Sequence, residues 1–527
     1  MSINKTSNLS HQGLARSAGV IGFATLCSRI LGFIRDMVIA RLFGVYIYAQ
    51  AFVIAFKIPN LLRDLLGEGA ANAAIIPVLT EYSVKRTKEE FWALANVLMN
   101  VILVVLCGVT ILGVVFAPLM VRLIAPGFAA SPEKLAATIL LTRLVFPYIL
   151  LIGLAAYAMA ILNTLKHFSV PAFSPCLLNI SIIACALIWG EGVKGLAAGV
   201  LVGGLLQLAV QIPVLYKKGF RFGFKRDLGH PAIKQIGGLM APRLFSSAIY
   251  HLNNFVDSIF GSLAFIVGEG AVAALYFSYR LIQFPLGIFS NSLSQAILPT
   301  FSQQALEPDR EKLKATLNFG LKMIFFLMVP ASAAFMVLSG PLVKNLFGGG
   351  RFDLHSVRMT ADALFFYSIG LAAYGGVKML QNCFFSLKDT VTPAKISVLA
   401  LIINVGLNAI LISPMKISGI ALATSISGIT SFCALFYILQ KRINGFDCRP
   451  LFIVALKVIL ASIGMAAVCY SASRLDPAIH NHLLDRAFKL LFPIVCGVAA
   501  YAGLCSALKV EEMRKLAVWV KGSKPAI

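Results

Sequence analysis

Charge is scarce in this 527-residue chain: Asp, Glu, Lys and Arg make up 13%, against about 25% in an ordinary soluble domain. With 59% hydrophobic residues and a mean hydropathy of +0.85, that scarcity excludes a soluble enzyme. Also missing are a Walker-type glycine-rich loop, an HExxH pair and a GxSxG elbow, so the sequence supports neither ATP hydrolysis nor covalent catalysis. The ten cysteines, at 27, 107, 176, 185, 383, 433, 448, 469, 496 and 505, show no CxxC spacing and no neighbouring histidine pair. They read as buried free thiols, not as a disulfide or metal framework. Acidic residues are the scarcer sign, 22 against 46 Lys and Arg, for a formal net charge of +24. In a soluble protein that excess would suggest nucleic acid. In an apolar chain it is the mark of cytoplasmic loops, and no nucleic-acid partner is implied.

What the sequence has is long apolar runs, recurring from Ala18 to Leu508. At roughly 20 residues per span the length accommodates about 14 transmembrane helices. Barrel strands would be about ten residues long with alternating polarity, whereas Val101 to Pro118 is one unbroken apolar run. The expected fold is therefore an all-α polytopic membrane protein. Helices are expected near 16–43, 49–83, 91–124, 133–164, 171–189, 194–216, 231–266, 270–301, 313–346, 355–386, 391–412, 417–440, 450–473 and 486–508. Basic clusters around Lys85, Lys217, Lys441 and the Lys509–Lys524 tail then fall on one side. Roughly 25 Lys and Arg lie there and roughly 9 on the other side, which places both termini in the cytoplasm. Arg29 and Arg35 interrupt the first apolar run, which reads against a cleavable signal peptide.

The chain also carries an internal repeat. Leu165-Lys166-His167-Phe168-Ser169-Val170-Pro171 corresponds to Leu387-Lys388-Asp389-Thr390-Val391-Thr392-Pro393 at an offset of 222. Asn179 and Gly195 correspond to Asn404 and Gly419, Ile76-Pro77 to Leu298-Pro299, and Ala117-Pro118-Leu119 to Gly340-Pro341-Leu342, all at nearly the same offset. Several matches in order argue for duplication. Six helices per copy is an even number, so both copies enter the membrane from the same side, as a parallel repeat about an axis along the membrane normal. The expected organisation is two pseudo-symmetric six-helix lobes, 1–226 and 227–447, followed by two extra helices and a basic tail over 448–527. Two such bundles rocking about a central site favour a transporter over a membrane enzyme.

Ionisable side chains inside spans are costly and normally face a cavity. Helix 1 carries Arg29, Arg35, Asp36 and Arg41, helix 2 carries Lys57, Arg63, Asp64 and Glu68, and helix 8 carries Arg280. At 100° per residue, Arg29, Arg35 and Arg41 point about 120° apart, so a straight helix cannot aim all three into one cavity. Gly32 offers a bend point, and Arg41 can snorkel from the helix end, leaving Arg29 and Arg35 as cavity candidates. Lys57, Asp64 and Glu68 share a stripe to within about 20°, while Arg63 sits about 120° away and is available to a ligand. Mutual neutralisation accounts equally well for Asp36, Asp64 and Glu68, but it cannot absorb all the cations. Surplus guanidinium groups in a low-dielectric cavity imply an anionic ligand, and their planar fork suits phosphate. An amphiphile with a phosphate or pyrophosphate head fits best. Asp257 and Asn382 are weaker candidates, more readily read as structural polar groups than as ligands of a coupling cation such as Na⁺ or H⁺. No cofactor is expected.

Ser28-Arg29-Ile30-Leu31-Gly32-Phe33-Ile34-Arg35-Asp36, Phe56-Lys57-Ile58-Pro59-Asn60-Leu61-Leu62-Arg63, Glu68-Gly69-Ala70, Tyr279-Arg280-Leu281 and Lys388-Asp389-Thr390 together resemble the signature of the MurJ (MviN) family of lipid II flippases. The resemblance runs over nearly the whole chain. It implies the fourteen-helix fold of the multidrug/oligosaccharidyl-lipid/polysaccharide exporter superfamily, in the bacterial inner membrane. It also implies transfer of lipid-linked peptidoglycan precursor from the cytoplasmic to the periplasmic leaflet, in the phospholipid bilayer and alongside the cell-wall synthesis machinery. By motif position Arg29, Arg35, Arg63 and Arg280 match the family's required cavity arginines, and Asp36 and Glu68 its cavity acids. Helices 13 and 14 would line a groove for the polyprenyl tail. The chain departs from the common pattern at Gln50, Tyr279 and Gln283, where relatives often carry acids or an amide, which implies a more cationic cavity. Alternating access driven by the membrane potential or by a Na⁺ or H⁺ gradient is the expected mechanism. A flippase for another polyprenyl-linked glycan, such as O-antigen or capsule units, shares the arginine logic, and a non-transporting cell-wall scaffold would not need the arginines at all.

Overall fold

The structure, a computed structural model, describes residues 3–63, 71–190, 192–224, 230–238, 255–475 and 481–513. Among the described residues the secondary structure is helical, apart from one antiparallel bridge between Gly349 and Phe352. In hydrocarbon each backbone N–H and C=O must be satisfied within its own segment, and a helix does this locally. Ten helices or helix runs among the described residues are long and apolar enough to cross a membrane, or eleven if Leu354–Ile369 and Leu371–Ser386, bent by 47° at Gly370, count as one span. The ten coincide with ten of the expected fourteen. The other four are the bent pair and the expected helices 1, 2 and 7, which hold Arg29, Lys57 and Asp257; parts of helices 2 and 7 lie outside the described residues.

Local chemistry sets the helix boundaries. Thr87 and Glu90 form a reciprocal capping box, with the Glu90 N–H donating to Thr87 Oγ1 and the Thr87 N–H to the Glu90 carboxylate, both at 3.2 Å, and this starts Lys88–Ile124. Val104, Ile111, Val115, Leu119 and Leu123 of that helix are exposed, as a lipid-facing stripe requires. Expected continuous helices contain breaks: 133–164 is Pro132–Val145 followed by Tyr148–Thr164, split where Pro147 removes a backbone donor, and 270–301 is interrupted by a π-helical turn at Leu286–Ser290 directly after Pro285.

The chain divides into two compact units, Met1–Ser262 and Leu263–Ile527. The first unit's core joins Ile75, Leu79, Leu94, Leu98, Ile161 and Leu162, with Tyr157 donating its hydroxyl to the Ala95 carbonyl at 2.9 Å. In the second unit the two extra helices, Arg449–Ser473 and His482–Ala507, pack against Glu311–Phe347 through Val458, Ala461, Met465 and Cys505. Tyr501 fastens them by donating to the Phe326 carbonyl at 2.8 Å. The repeat is visible in the backbone. Lys166 and Lys388 both adopt left-handed φ, +57° and +59°, and the following N–H groups of His167 and Asp389 reach back to Leu162 and Phe384 carbonyls at 2.8 and 2.9 Å. The ten cysteines are free thiols, and they are not all buried as the sequence reading expects: Cys433 is exposed on Ile417–Arg442, where lipid solvates a thiol as readily as a protein interior does.

Candidate functional site

Arg29, Gly32, Arg35 and Asp36 lie on one continuous helix, Ile3–Phe43. The two arginines are six positions apart, and the 120° between them places them in different surroundings. Arg35 is 4% exposed and Asp36 1%. The Arg35 Nε and Nη2 both donate to Asp36 Oδ1, at 3.0 and 2.7 Å, while Nη1 donates to Asn179 Oδ1 at 3.1 Å. Asn179, from Ser169–Trp189, spends its own Nδ2 on the Ser28 carbonyl at 3.2 Å. Its carboxamide lies 3.7 Å from where a Cβ on Gly32 would sit, so the small residue faces the crossing helix at this network. Arg35 is thereby neutralised and tied to a second helix.

Arg29 is exposed and makes no ion pair among the described residues. One arginine of this helix is thus locked and the other is exposed. Lys57, on Ile47–Arg63, donates to Ser258 Oγ, and its ammonium stands 5.4 Å from the Phe255 ring centroid. Asp257, between those two contacts in sequence, is near enough to act on Lys57 electrostatically. Arg63 is the last residue of its helix and is partly buried. Asp64 and Glu68 lie outside the described residues, so the stripe expected for them with Lys57 is not part of this description.

In the second unit Arg280 sits on Ala271–Pro285, six residues before the π-helical segment begins at Leu286. It donates to Gln283 Oε1 at 3.2 Å and stands 5.6 Å from the Tyr276 ring centroid. Gln283 is a neutral acceptor, so this contact orients the guanidinium without cancelling its charge. Tyr279 packs edge-on against Tyr367, with ring centroids 5.7 Å apart, and Gln50 of the first unit is buried. Asn382 is buried, and its Nδ2 donates to the Ser294 carbonyl at 2.8 Å, a structural bond between Leu371–Ser386 and Asn291–Gln304. Among the described residues no group of three or more His, Cys, Asp or Glu is placed to hold a metal ion.

Two participants were not evident as such in the sequence. Asn179 was legible only as a marker of the repeat, and Ser258 carried no signal, because a serine in an apolar run is commonplace.

The family model for the lipid II flippase MurJ matches residues 39–486. The chain is 34% identical over 431 residues to the lipid II flippase MurJ of Burkholderia cenocepacia, covering 80% of this chain and 83% of that one. Its fold is similar to a solved lipid II flippase MurJ in an inward closed conformation, with a TM-score of 0.76 and 26% identity over 93% of this chain and 99% of the other. A multidrug resistance transporter of the MATE family, in an inward-facing conformation, shares the fold at a TM-score of 0.67 and 15% identity, over 79% of this chain and 94% of the other. With 448 of its 527 residues matched by the family model, this chain belongs to the MurJ family of lipid II flippases, transporters and not enzymes.

Proposed function

We propose that this protein moves lipid II across the bacterial cytoplasmic membrane, carrying the head group from the cytoplasmic to the periplasmic side by alternating access. Arg29, Arg63 and Arg280 act as the guanidinium donors for the pyrophosphate, and Lys57 adds a further cation on the Ser258 side. Arg35, Asp36 and Asn179 hold the first helix so that Arg29 is presented in register. The single observation that carries this reading is the contrast on one helix between a neutralised, buried Arg35 and an exposed Arg29 that makes no ion pair among the described residues, in a chain whose relatives are named for lipid II. A guanidinium kept without a carboxylate in an apolar helix is a cost that an anionic ligand offsets.

The polyprenyl tail stays in apolar surroundings along the two extra helices, where Phe452, Leu456, Leu460 and Ile463 are exposed. At about 0.8 kcal/mol per buried methylene only the head has to be carried through. Resetting draws on the membrane potential, worth about 2.3 kcal/mol per charge per 100 mV, or on Na⁺ or H⁺ acting at Asp257 and Asn382. Both termini are cytoplasmic on the positive-inside argument, and the cell-wall synthesis machinery is the expected neighbour.

The test is lipid II accessibility to a periplasmic probe in cells depleted of their own flippase. The wild-type chain should restore accessibility, and Arg29→Ala/Arg280→Ala at matched membrane levels should reduce it at least tenfold. Full activity of that variant would leave the scaffold reading in place. Failure of the wild type alongside activity on another polyprenyl-linked glycan would replace the substrate and keep the fold.

A further inference from the structure

The second unit contains a cleft of about 290 Å³ that plays no part in the site described above. It is bounded by the turn at Val267 and Gly268, by His355, Arg358, Met359 and Asp362 on Leu354–Ile369, and by Met415 to Ser418 at the junction of two later helices. The cleft lies at the helix ends opposite the Asp389–Arg442 pair: Val391–Met415 begins beside Asp389 and ends at the cleft.

Its charges are unlike those of an ordinary solvated rim. Arg358 and Lys416 are exposed, and their side chains make no hydrogen bond or ion pair among the described residues. Asp362, one turn beyond Arg358, feels that guanidinium but is not paired with it. His355 is held at the edge by a 3.2 Å hydrogen bond between its Nε2 and the Glu269 carbonyl. Two cations, one carboxylate and the apolar walls of Val267, Met359, Met415 and Ile417 therefore share one opening.

Lys416 is also in an unusual backbone state. It has φ 52° and ψ −130°, a region that glycine adopts readily and other residues do not. The corresponding connection in the first repeat passes through nearly the same dihedrals, φ 57° and ψ −121°, at Gly190. Where one repeat uses the residue the backbone calls for, the other keeps a lysine and aims its charge at the cleft.

We propose that this cleft binds the head group of an ethanolamine phospholipid, with the phosphate between Arg358 and Lys416 and the ammonium on Asp362. The match is by charge order. A phosphodiester needs the two cations, a primary ammonium supplies the donors that Asp362 lacks, and the glycerol meets the apolar wall. A glycerol head group would leave Asp362 facing hydroxyls without a countercharge. A choline head group carries its charge on methyls, which cannot donate to a carboxylate. At about 290 Å³ the cleft has room for such a head group. Phe265 and Leu354, exposed beside it, continue the apolar path for acyl chains.

The full-length protein is tested in detergent by native mass spectrometry, titrated with phosphatidylethanolamine, phosphatidylglycerol or phosphatidylcholine. Phosphatidylethanolamine should be retained at least fivefold better than the other two. Arg358→Gln should lower that retention at least fivefold, and Asp362→Asn should abolish the preference over phosphatidylglycerol while leaving phospholipid bound. Lys416→Gly should lose the lipid while its melting temperature stays level or rises, because glycine relieves the backbone; a purely structural lysine would not separate the two readouts. Equal retention of all three lipids by the wild type, or unchanged retention in both Arg358→Gln and Lys416→Gly, overturns the proposal. So does displacement of the lipid by soluble glycerophosphoethanolamine at matched concentration, which would mark a site for a soluble aminophosphate. None of these readouts depends on lipid II transport.

Discussion

Three arginines of this molecule stand in three different settings. Arg35 is buried, bonded twice to Asp36 and once to Asn179. Arg442 reaches from the end of its helix to Asp389, with its own side chain 45% exposed. Arg280 is held by neutral Gln283 beside Tyr276. The same side chain is a structural cross-link in the first setting, a surface clasp in the second and a cation oriented by a neutral acceptor in the third. What differs is the acceptor and its distance from water, and those two quantities decide whether a guanidinium is available to a ligand.

The comparison can be broken most forcefully at the buried pair. Arg35→Met leaves the Asp36 carboxylate buried without its cation, and removing one partner of such a pair costs about 3–5 kcal/mol. The expected outcome is a large fall in the melting temperature of the purified protein. The double variant Arg35→Met/Asp36→Leu should recover much of the loss, since an apolar pair of similar volume removes the stranded charge. An Arg35→Met protein as stable as wild type would show that Arg35 belongs with the open arginines.

The clasp at Asp389 should respond less, and to pH. Burial alone would raise its carboxyl, but the Thr392 N–H and hydroxyl, the Arg442 guanidinium and the Val391 N–H together hold it below its ordinary value of 3.8. A carboxyl depressed by folding adds stability above its unfolded pKa and loses it as the pH falls toward the folded value. The contribution should therefore be complete above about pH 5 and fade below about pH 4. Asp389→Asn keeps an oxygen for the Val391 and Thr392 N–H groups but loses the pair with half-exposed Arg442, so it should cost about 0.2–1 kcal/mol at pH 7 and should flatten the acid limb of a melting-temperature profile. An unaltered acid limb would remove Asp389 from the account.

The smallest effect is expected at Arg280. Gln283→Glu replaces a neutral acceptor with a carboxylate at the same reach, turning the oriented cation into an exposed ion pair. Such pairs are worth about 0.2–1 kcal/mol, so folding should hardly change. On the proposed function, lipid II accessibility in the depletion assay should fall a few-fold, because the added carboxylate offsets the Arg280 charge. A rise in activity would mean that an acid at this position serves the transport cycle and that the glutamine is a handicap.

The candidate site was only partly legible before the fold was known. The angular separation of Arg29 and Arg35 follows from helix geometry, and the structure places them in the opposite surroundings that this separation implies. Neutralisation of Asp36, one of two readings open for it, is realised through its neighbour Arg35. Asn179 could not be assigned because it comes from a helix 144 residues away and looks, in sequence, like a marker of the repeat. The breaks at Pro147 and Pro285 were also missed: apolar runs continue through them, and hydropathy does not register a lost N–H donor.

By itself the sequence determined that the chain is helical, spans a membrane many times and is internally duplicated. Apolar solvent forces each segment to satisfy its own backbone, and that demand is written residue by residue. Only the tertiary structure decided which arginine is cancelled and which is kept open, and which of two equivalent turns carries a lysine in a glycine conformation. Charge neutralisation depends on groups brought together from distant helices, and no local pattern encodes that proximity.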